Sequence, residues 1–260
     1  MLALYLLLVG AAWAWQERIV WQPPSATATP HVSAQRLSYA GDDGQPLYAF
    51  LVGDPARARG LLVAFHGNAE LAAYNVGWAE EVERRTGWAV LLPEYRGYGG
   101  LPGAPTYAGS GRDAEAAYRL ARVQLGVDPA RIAFYGRSLG TAVAAELAAR
   151  HPPSVLILLA PFTSARDMAG GMGLPLLPAL WPAIGRVAFD TRARVAALDV
   201  PVWVAHGTRD AVIPVAMGRA VHAAARTPGE LLEMPNAGHN DVLVVASREY
   251  WRWLERALRE

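Results

Sequence analysis

The sequence predicts an α/β domain with a mostly parallel central sheet and helices on both faces. Short apolar runs such as Leu61–Phe65 and Val155–Leu159, typical of strands buried on both faces, recur along the chain. Segments with helical spacing separate these runs, and this alternation is typical of βαβ units. With 260 residues, the chain is long enough for one such domain to bury a core without covalent cross-links.

The composition narrows the classes of function. The chain has no cysteine, which excludes disulfides, cysteine-based metal sites and a thiol nucleophile. Its 24 basic and 23 acidic residues leave a net charge of +1. The basic residues are all arginine and are spread along the chain instead of forming one stripe. We therefore expect no nucleic-acid partner.

The first 21 residues form a separate hydrophobic segment. Met1–Trp15 carries no charge, but a helix of this length spans only about 22 Å, less than the ~30 Å hydrocarbon core of a bilayer. Three interpretations remain open: a membrane anchor with tryptophans at the interface, a signal peptide cleaved near Ala12–Ala14 to give a secreted or periplasmic protein, or a buried or amphipathic first helix. Residues 22–34, rich in proline and small polar residues, predict a linker.

The elements of the domain at residues 35–260 follow in order. The predicted strands are Arg36–Tyr39, Pro46–Val52, Leu61–Phe65, Trp88–Pro93, Arg131–Tyr135, Val155–Leu159, Val202–Ala205 and Leu231–Met234, the first two joined by a hairpin turn at 41–44. The predicted helices are Leu71–Arg85, Arg112–Leu125, Thr141–Arg150, Pro214–Arg226 and Asp241–Leu258. Asp113 and Glu115 would then lie in the first turn of their helix, where acidic residues complement the helix dipole. Residues 161–198 interrupt the alternation and predict a small apolar lid over the carboxyl end of the sheet.

The strongest chemical signal is a G-x-S-x-G motif at residues 136–140. It lies between a predicted strand and a predicted helix, the context in which this motif forms a sharp turn that exposes the serine. Ser138 is therefore the predicted nucleophile. The backbone N–H groups of Leu139 and of Asn68, in the loop after Leu61–Phe65, are the predicted donors to the oxyanion of a tetrahedral intermediate.

A serine hydroxyl needs a neighbouring base to become a good nucleophile. In chains with this motif the order is nucleophile, acid, base, and His239 lies late in the sequence, between the last predicted strand and the last predicted helix. Asp210, on the loop after Val202–Ala205, is the predicted acid that orients the imidazole. The alternative for Asp210 is that it only caps the next helix, and Asp241 is expected to cap the last one. This chemistry requires no metal and no cofactor.

Two further loops are expected to be architectural. His66, next to the predicted oxyanion loop, is expected to hold that loop by hydrogen bonds. The glycine-rich segment Glu94–Gly103 lacks the pattern of a phosphate-binding loop. Within it, Arg96 is expected to form a buried salt bridge or to hold Tyr98.

Six motifs together resemble those of the small membrane-associated α/β hydrolases, a family that includes protein depalmitoylases and related serine hydrolases. The motifs are F-H-G-N-A at 65–69, P-E-Y-R-G-Y-G at 93–99, Y-G-R-S-L-G at 135–140, A-P-F-T-S at 160–164, H-G-T-R-D at 206–210 and A-G-H-N at 237–240. The resemblance runs from about Val20 to the C-terminus. It implies the α/β-hydrolase fold, with the triad at Ser138, Asp210 and His239 and the oxyanion donors at Asn68 and Leu139. The chain departs from the family at Glu94, usually aspartate, and at Thr141, commonly glycine.

These observations predict a serine hydrolase of the carboxylesterase, lipase or thioesterase type, which forms an acyl-enzyme on Ser138. The apolar lid and the hydrophobic N-terminal segment favour an acyl or lipid-like ester or thioester substrate and a membrane-associated protein. Two alternatives remain: a serine peptidase of the same fold, and a non-catalytic scaffold built on it.

Overall fold

A computed structural model describes the protein over residues 2–25, 34–171 and 177–259. Within these ranges, eight strands form one sheet in the order β1-β2-β4-β3-β5-β6-β7-β8. The hairpin of β1 and β2 is antiparallel and joins the sheet antiparallel to β4, whereas all the other pairs are parallel. The strands are β1 (Gln35–Ala40), β2 (Pro46–Val52), β3 (Leu61–Phe65), β4 (Ala89–Pro93), β5 (Ile132–Arg137), β6 (Leu156–Leu159), β7 (Val202–Gly207) and β8 (Pro228–Met234). The predicted α/β class is confirmed.

Helices cover both faces of this sheet, because its central strands are apolar on both sides. The helices are α1 (Leu2–Val20), α2 (Val76–Thr86), α3 (Tyr107–Arg119), α4 (Leu139–Ala148), α5 (Ala165–Gly170), α6 (Leu177–Ile184), α7 (Thr191–Ala196), α8 (Val215–Ala224), α9 (Val242–Val245) and α10 (Ser247–Ala257). Along β3, Leu61 and Val63 pack with residues of α3, α4 and α8, while Leu62 packs with residues of α2 and α10. This alternation follows from the period of two along a strand.

Helix α3 begins at Tyr107, five residues before the predicted start at Arg112. Thr106 caps it by accepting a hydrogen bond from the Gly109 N–H at 2.9 Å. A Cβ at Gly109 would lie 2.7 Å from Arg96 Cδ, so a glycine makes room there for the arginine. Asp113 therefore lies in the middle of α3, not in its first turn. The prediction that Asp113 and Glu115 complement the helix dipole was wrong.

The predicted closing helix is two helices, α9 and α10, separated at Ala246. The longer of the two buries Tyr250, Trp253 and Leu254 against the sheet. The interruption separates this packed helix from the loop that carries His239.

The N-terminal helix and the predicted lid, which both lie outside the regular alternation of strands and helices, contact each other. Helix α1 ends at Val20, and Trp21, which follows it, is only 2% exposed. No helix in the described part of the chain is both long enough and apolar enough to cross a membrane. The predicted lid contains α5, α6 and α7. Part of the predicted linker, 26–33, and part of the predicted lid, 172–176, lie outside the described residues.

Candidate active site

Ser138 occupies the turn between β5 and α4 in a strained backbone conformation, with φ 52° and ψ −119°. Two glycines permit this turn. A Cβ at Gly136 would lie 2.4 Å from the Gly140 carbonyl oxygen, and a Cβ at Gly140 would lie 2.1 Å from the Phe65 carbonyl oxygen. Both glycines are therefore required by close backbone packing, and the serine side chain is left at the carboxyl edge of the sheet.

Positive φ angles recur along this edge. Among the described residues, four that are not glycine have positive φ, namely Ala69, Ser138, Ala160 and Asn236. Each follows a strand of the parallel part of the sheet, at the end where Ser138 lies. Such conformations persist where the surrounding structure over-determines them, and they cluster at functional sites.

The structure brings together the three residues predicted as a triad. His239 Nε2 lies 2.9 Å from Ser138 Oγ, and His239 Nδ1 lies 2.7 Å from Asp210 Oδ2. With Nδ1–H donating to the carboxylate, Nε2 is left as the acceptor for the serine proton. The loops after β5, β7 and β8 carry these residues, and the carboxyl ends of parallel strands meet at one edge of the sheet.

The Asp210 carboxylate is held on every side. Oδ1 accepts from the N–H groups of Val212 at 2.8 Å and Ile213 at 2.7 Å. Oδ2 lies 3.3 Å from His206 Nε2 in addition to the imidazole of His239. Burial opposes ionisation of Asp210, but the hydrogen bonds from His206, His239 and the Ile213 N–H outweigh it and hold the pKa of the carboxyl well below its usual range. Asp210 therefore stays ionised at neutral pH, and it does not cap α8, whose N-cap is Pro214.

Asn68 and Leu139, the predicted oxyanion donors, line the cavity that contains Ser138. The N–H of Leu139 is at the first position of α4, where a helix has no acceptor of its own for such groups. The Asn68 side chain is anchored, because its Oδ1 accepts from Tyr98 OH at 2.8 Å and from the Gln22 N–H at 2.9 Å. The residue before it is also held, since the Gly67 N–H donates to Glu70 Oε2 at 3.0 Å.

Arg137 links two loops of the site, a role that the sequence analysis missed. It forms an ion pair with Glu70, which holds the predicted oxyanion loop through the Gly67 N–H. It also donates to Asn240 Oδ1 at 2.9 Å and to the His239 carbonyl oxygen at 3.3 Å. The only available signal was its variable position inside the G-x-S-x-G motif, which does not specify a partner.

The structure shows which groups contact His66, Arg96 and Asp241, the residues predicted to have architectural roles. His66 is buried between Glu94 Oε1 and the Gly67 carbonyl oxygen, both at 2.8 Å, as expected of a residue that holds its loop. Arg96 forms the expected buried salt bridge, with Asp113 at 2.7 Å. Asp241 is at the N-cap of α9, but its side chain makes no capping bond there, and the expectation that it caps the helix was wrong. Its Oδ1 accepts from the Gly238 N–H at 2.6 Å and so supports the loop of His239.

A mostly apolar cavity of about 320 Å³ opens beside Ser138. Its lining comes from five parts of the chain: the end of α1, the loop of Asn68, the turn at Ser138, the predicted lid and the loop after β7. The lining residues are Gln16, Ile19, Val20, Asn68, Ser138, Leu139, Phe162, Ala165, Met168, Ala169, Trp181, Val187, Phe189, Val212 and Ile213. Over residues 2–25, 34–171 and 177–259, no group of three or more His, Asp and Glu side chains is arranged to hold a metal ion.

The fold and the groups gathered at its carboxyl edge define a hydrolase of the α/β class. Comparison with known proteins agrees: a family model described as alpha/beta hydrolase fold matches residues 60–177. The chain is 34% identical over 259 residues to the uncharacterized protein Rv2307c of Mycobacterium tuberculosis, covering 95% of this chain and 89% of that protein. The chain belongs to the α/β-hydrolase family.

Two further similarities agree with this family and with its fold. The chain is 30% identical over 203 residues to human alpha/beta hydrolase domain-containing protein 17B, covering 76% of this chain and 65% of the human protein. This agrees with the resemblance to the depalmitoylase-related group. Among solved structures, the esterase Pf2001 of Pyrococcus furiosus superposes with a TM-score of 0.73 at 16% identity, covering 92% of this chain and 97% of the esterase, which supports the fold.

Proposed function

We propose that the protein is a serine hydrolase that cleaves carboxylic ester or thioester bonds of acyl or lipid-like substrates through an acyl-enzyme on Ser138. The observation that carries the proposal is the position of His239. Its imidazole bridges Ser138 Oγ at 2.9 Å and Asp210 Oδ2 at 2.7 Å, and Ser138 lines an apolar cavity. An apolar cavity with a few convergent polar groups is suited to a small ligand that is mostly hydrocarbon.

The reaction follows the general scheme for an activated serine. Ser138 Oγ attacks the carbonyl carbon while His239 Nε2 takes its proton. The N–H groups of Leu139 and Asn68 donate to the oxyanion of the tetrahedral intermediate. When this intermediate collapses, His239 returns the proton to the leaving alcohol or thiol, and the acyl group remains on the serine. A water molecule, deprotonated by the same imidazole, then attacks the acyl-enzyme and releases the acid.

The test is hydrolysis of p-nitrophenyl esters from acetate to palmitate by wild-type protein and by Ser138→Ala. We expect turnover with an optimum in chain length, and a loss of turnover in the variant of about 10⁴-fold or more, since removing the nucleophile leaves only the residual catalysis of the remaining site. Ser154→Ala is the matched control, because Ser154 lies on the loop before β6 and its hydroxyl bonds only to a backbone carbonyl. Folded protein without activity on esters, and without activity on acyl thioesters, would refute the proposal. It would then favour the peptidase or the scaffold.

Membrane association through α1 is the second part of the proposal. Trp13, Trp15 and Ile19 are large apolar residues that are 41–55% exposed on this helix, and amphipathic indole rings are favoured at a bilayer interface. Flotation of the full chain with phosphatidylcholine vesicles tests it. We expect co-flotation that is lost when Trp13 and Trp15 are both replaced by serine, and protein that stays at the bottom of the gradient would contradict it. A mature N-terminus near Ala14 would favour the signal-peptide alternative.

A further inference from the structure

The carboxyl-terminal end of α1 is fixed to the hydrolase domain. Trp21 is buried between Tyr95 and Phe189, with ring centroids 5.8 and 6.3 Å away. Glu17 Oε2 accepts from Trp21 Nε1 at 3.2 Å and from the N–H of Tyr107 at 3.1 Å. Because Tyr107 is the first residue of α3, the carboxylate also lies at the positive end of that helix.

Gln16, the residue before Glu17, binds the predicted lid through both ends of its side-chain amide. Its Nε2 donates to the Ile184 carbonyl oxygen at 2.8 Å, and its Oε1 accepts from the Arg186 N–H at 2.7 Å. The side chain is almost fully buried, and Ile184 is the last residue of α6. We call this pair of hydrogen bonds the Gln16 clamp. Loss of the clamp would leave two backbone groups of the lid without these partners, which is costly where water cannot replace them.

The same turns of α1 form part of the cavity that contains Ser138. Gln16, Ile19 and Val20 line it together with lid residues such as Met168 and Trp181. Val20 is partly buried and packs against the core. One side of the cavity is therefore supplied by the N-terminal segment and not by the elements of the α/β sheet.

We infer that Gln16, Ile19 and Val20 determine which acyl chains the enzyme accepts, with the Gln16 clamp holding the lid closed against α1. This inference rests on the proposed function, and it assigns the cavity to the acyl chain of the substrate. A segment that served only as a tether to a membrane would have no need to bind the backbone of the lid or to line the cavity of the nucleophile. The N-terminal segment therefore acts in substrate selection even where no membrane is present.

The experiment uses the full chain and water-soluble p-nitrophenyl esters of increasing length, below their solubility limits and without lipid. Val20→Phe places a ring in the cavity. We expect the ratio of kcat/KM for the longest esters to kcat/KM for acetate to fall about tenfold or more, since one methylene group in an apolar pocket changes kcat/KM by roughly 10–200-fold. Gln16→Ala releases the lid, and we expect KM to rise more for long esters than for acetate. Arg18→Ala, an exposed position on the same helix, is the matched control and should match wild type.

Binding of dodecanoate, followed by calorimetry, gives a second measurement that does not depend on turnover. Wild-type and Ser138→Ala protein should bind it, and Val20→Phe should bind at least about tenfold more weakly. If both Val20→Phe and Gln16→Ala retain the chain-length profile and the dodecanoate affinity of wild type, the inference is wrong even though Ser138-dependent hydrolysis stands. If wild-type protein hydrolyses no ester but binds dodecanoate in a Val20-dependent manner, the proposed function fails and the assignment of the cavity survives. Absence of dodecanoate binding by wild type overturns that assignment.

Discussion

Replacement of Arg137 by methionine tests whether the two loops of the site must be joined for catalysis. Methionine keeps much of the length and the apolar stem of the side chain, but it removes the ion pair with Glu70 and the hydrogen bonds to Asn240 and His239. Glu70 would still accept from the Gly67 N–H, but it would no longer have its ion-pair partner. The loops that carry Asn68 and His239 both become less well fixed.

The magnitude follows from the burial of the pair. Each side chain of the Arg137–Glu70 pair is 19% exposed, so the interaction is stronger than an exposed ion pair of about 0–1 kcal/mol. It is weaker than a fully buried pair, where loss of one partner costs about 3–5 kcal/mol. We therefore expect the free energy of unfolding to fall by roughly 2–3 kcal/mol. A displacement of catalytic groups of about 1 Å can lower the rate ~10²-fold, so kcat should fall about 10- to 100-fold.

The assay combines urea unfolding with ester kinetics. Arg256→Met is the matched control, because Arg256 pairs with Glu230 on an exposed surface, with side chains 47% and 37% exposed. The double-mutant cycle of Glu70→Gln with Arg137→Met measures the coupling between the two positions. If kcat of Arg137→Met equals that of wild type although stability is lost, Arg137 has only a structural role. Strict additivity in the cycle would contradict the proposed coupling.

Four further predictions concern the turn at Ser138 and Asp210. Gly140→Ala should destabilise the fold by about 3 kcal/mol or more, because its Cβ would meet a backbone oxygen at 2.1 Å. The control is Gly111→Ala, which has no atom within 4 Å of its Cβ and should stabilise the fold by up to about 1 kcal/mol. Equal melting temperatures for these two variants would contradict the packing argument. Asp210→Asn should lower kcat about 10³–10⁴-fold, since the amide does not favour the required imidazole tautomer. The control Asp199→Asn, at an exposed position, should leave kcat unchanged. A fall in kcat of less than tenfold for Asp210→Asn would show that Asp210 does not belong to the triad. Because hydrogen bonding holds the pKa of Asp210 below its usual range, this carboxylate should stay ionised in mild acid and should add no proton uptake to the pH profile of kcat/KM above about pH 4. A proton uptake in that range that Asp210→Asn abolishes would show that the carboxylate titrates. Because the pKa of Asp210 is lower in the folded protein, its ionised carboxylate stabilises the fold above the ordinary carboxyl pKa of about 4, and this contribution is lost as the pH falls further. The difference in the free energy of unfolding between wild type and Asp210→Asn should therefore shrink below that pH.

Features with a local signature could be predicted from the sequence. The run Leu61–Phe65 is apolar at every position, and it forms β3 with the predicted bounds. The turn at Ser138 could be located because two glycines at fixed sequence distances from a serine specify a particular backbone turn. His239 and Asp210 could be placed because their loops follow predicted strands, and parallel strands bring such loops to one edge.

Features that depend on distant contacts could not be predicted. Gln16 and Ile184 are separated by 168 positions, and no periodicity indicates that they meet. The start of α3 was missed because Gly109 and Gly111 lower helix propensity, while the reason for Gly109, the space that Arg96 occupies, lies on another loop. His206 lies only four positions before Asp210, and it contacts the carboxylate because the loop after β7 folds back on that strand.

The left-handed backbone at Ala69, Ser138, Ala160 and Asn236 has a consequence for directed evolution. Each such conformation costs on the order of 1–3 kcal/mol, a sizeable share of the roughly 5–15 kcal/mol of net stability typical of a folded domain. Selection for heat resistance alone would therefore favour glycine at Ala160 or Asn236, where relief of strain is available. Those positions belong to the edge of the sheet that carries Ser138 and His239, so variants gained in this way should be screened for turnover in the same round.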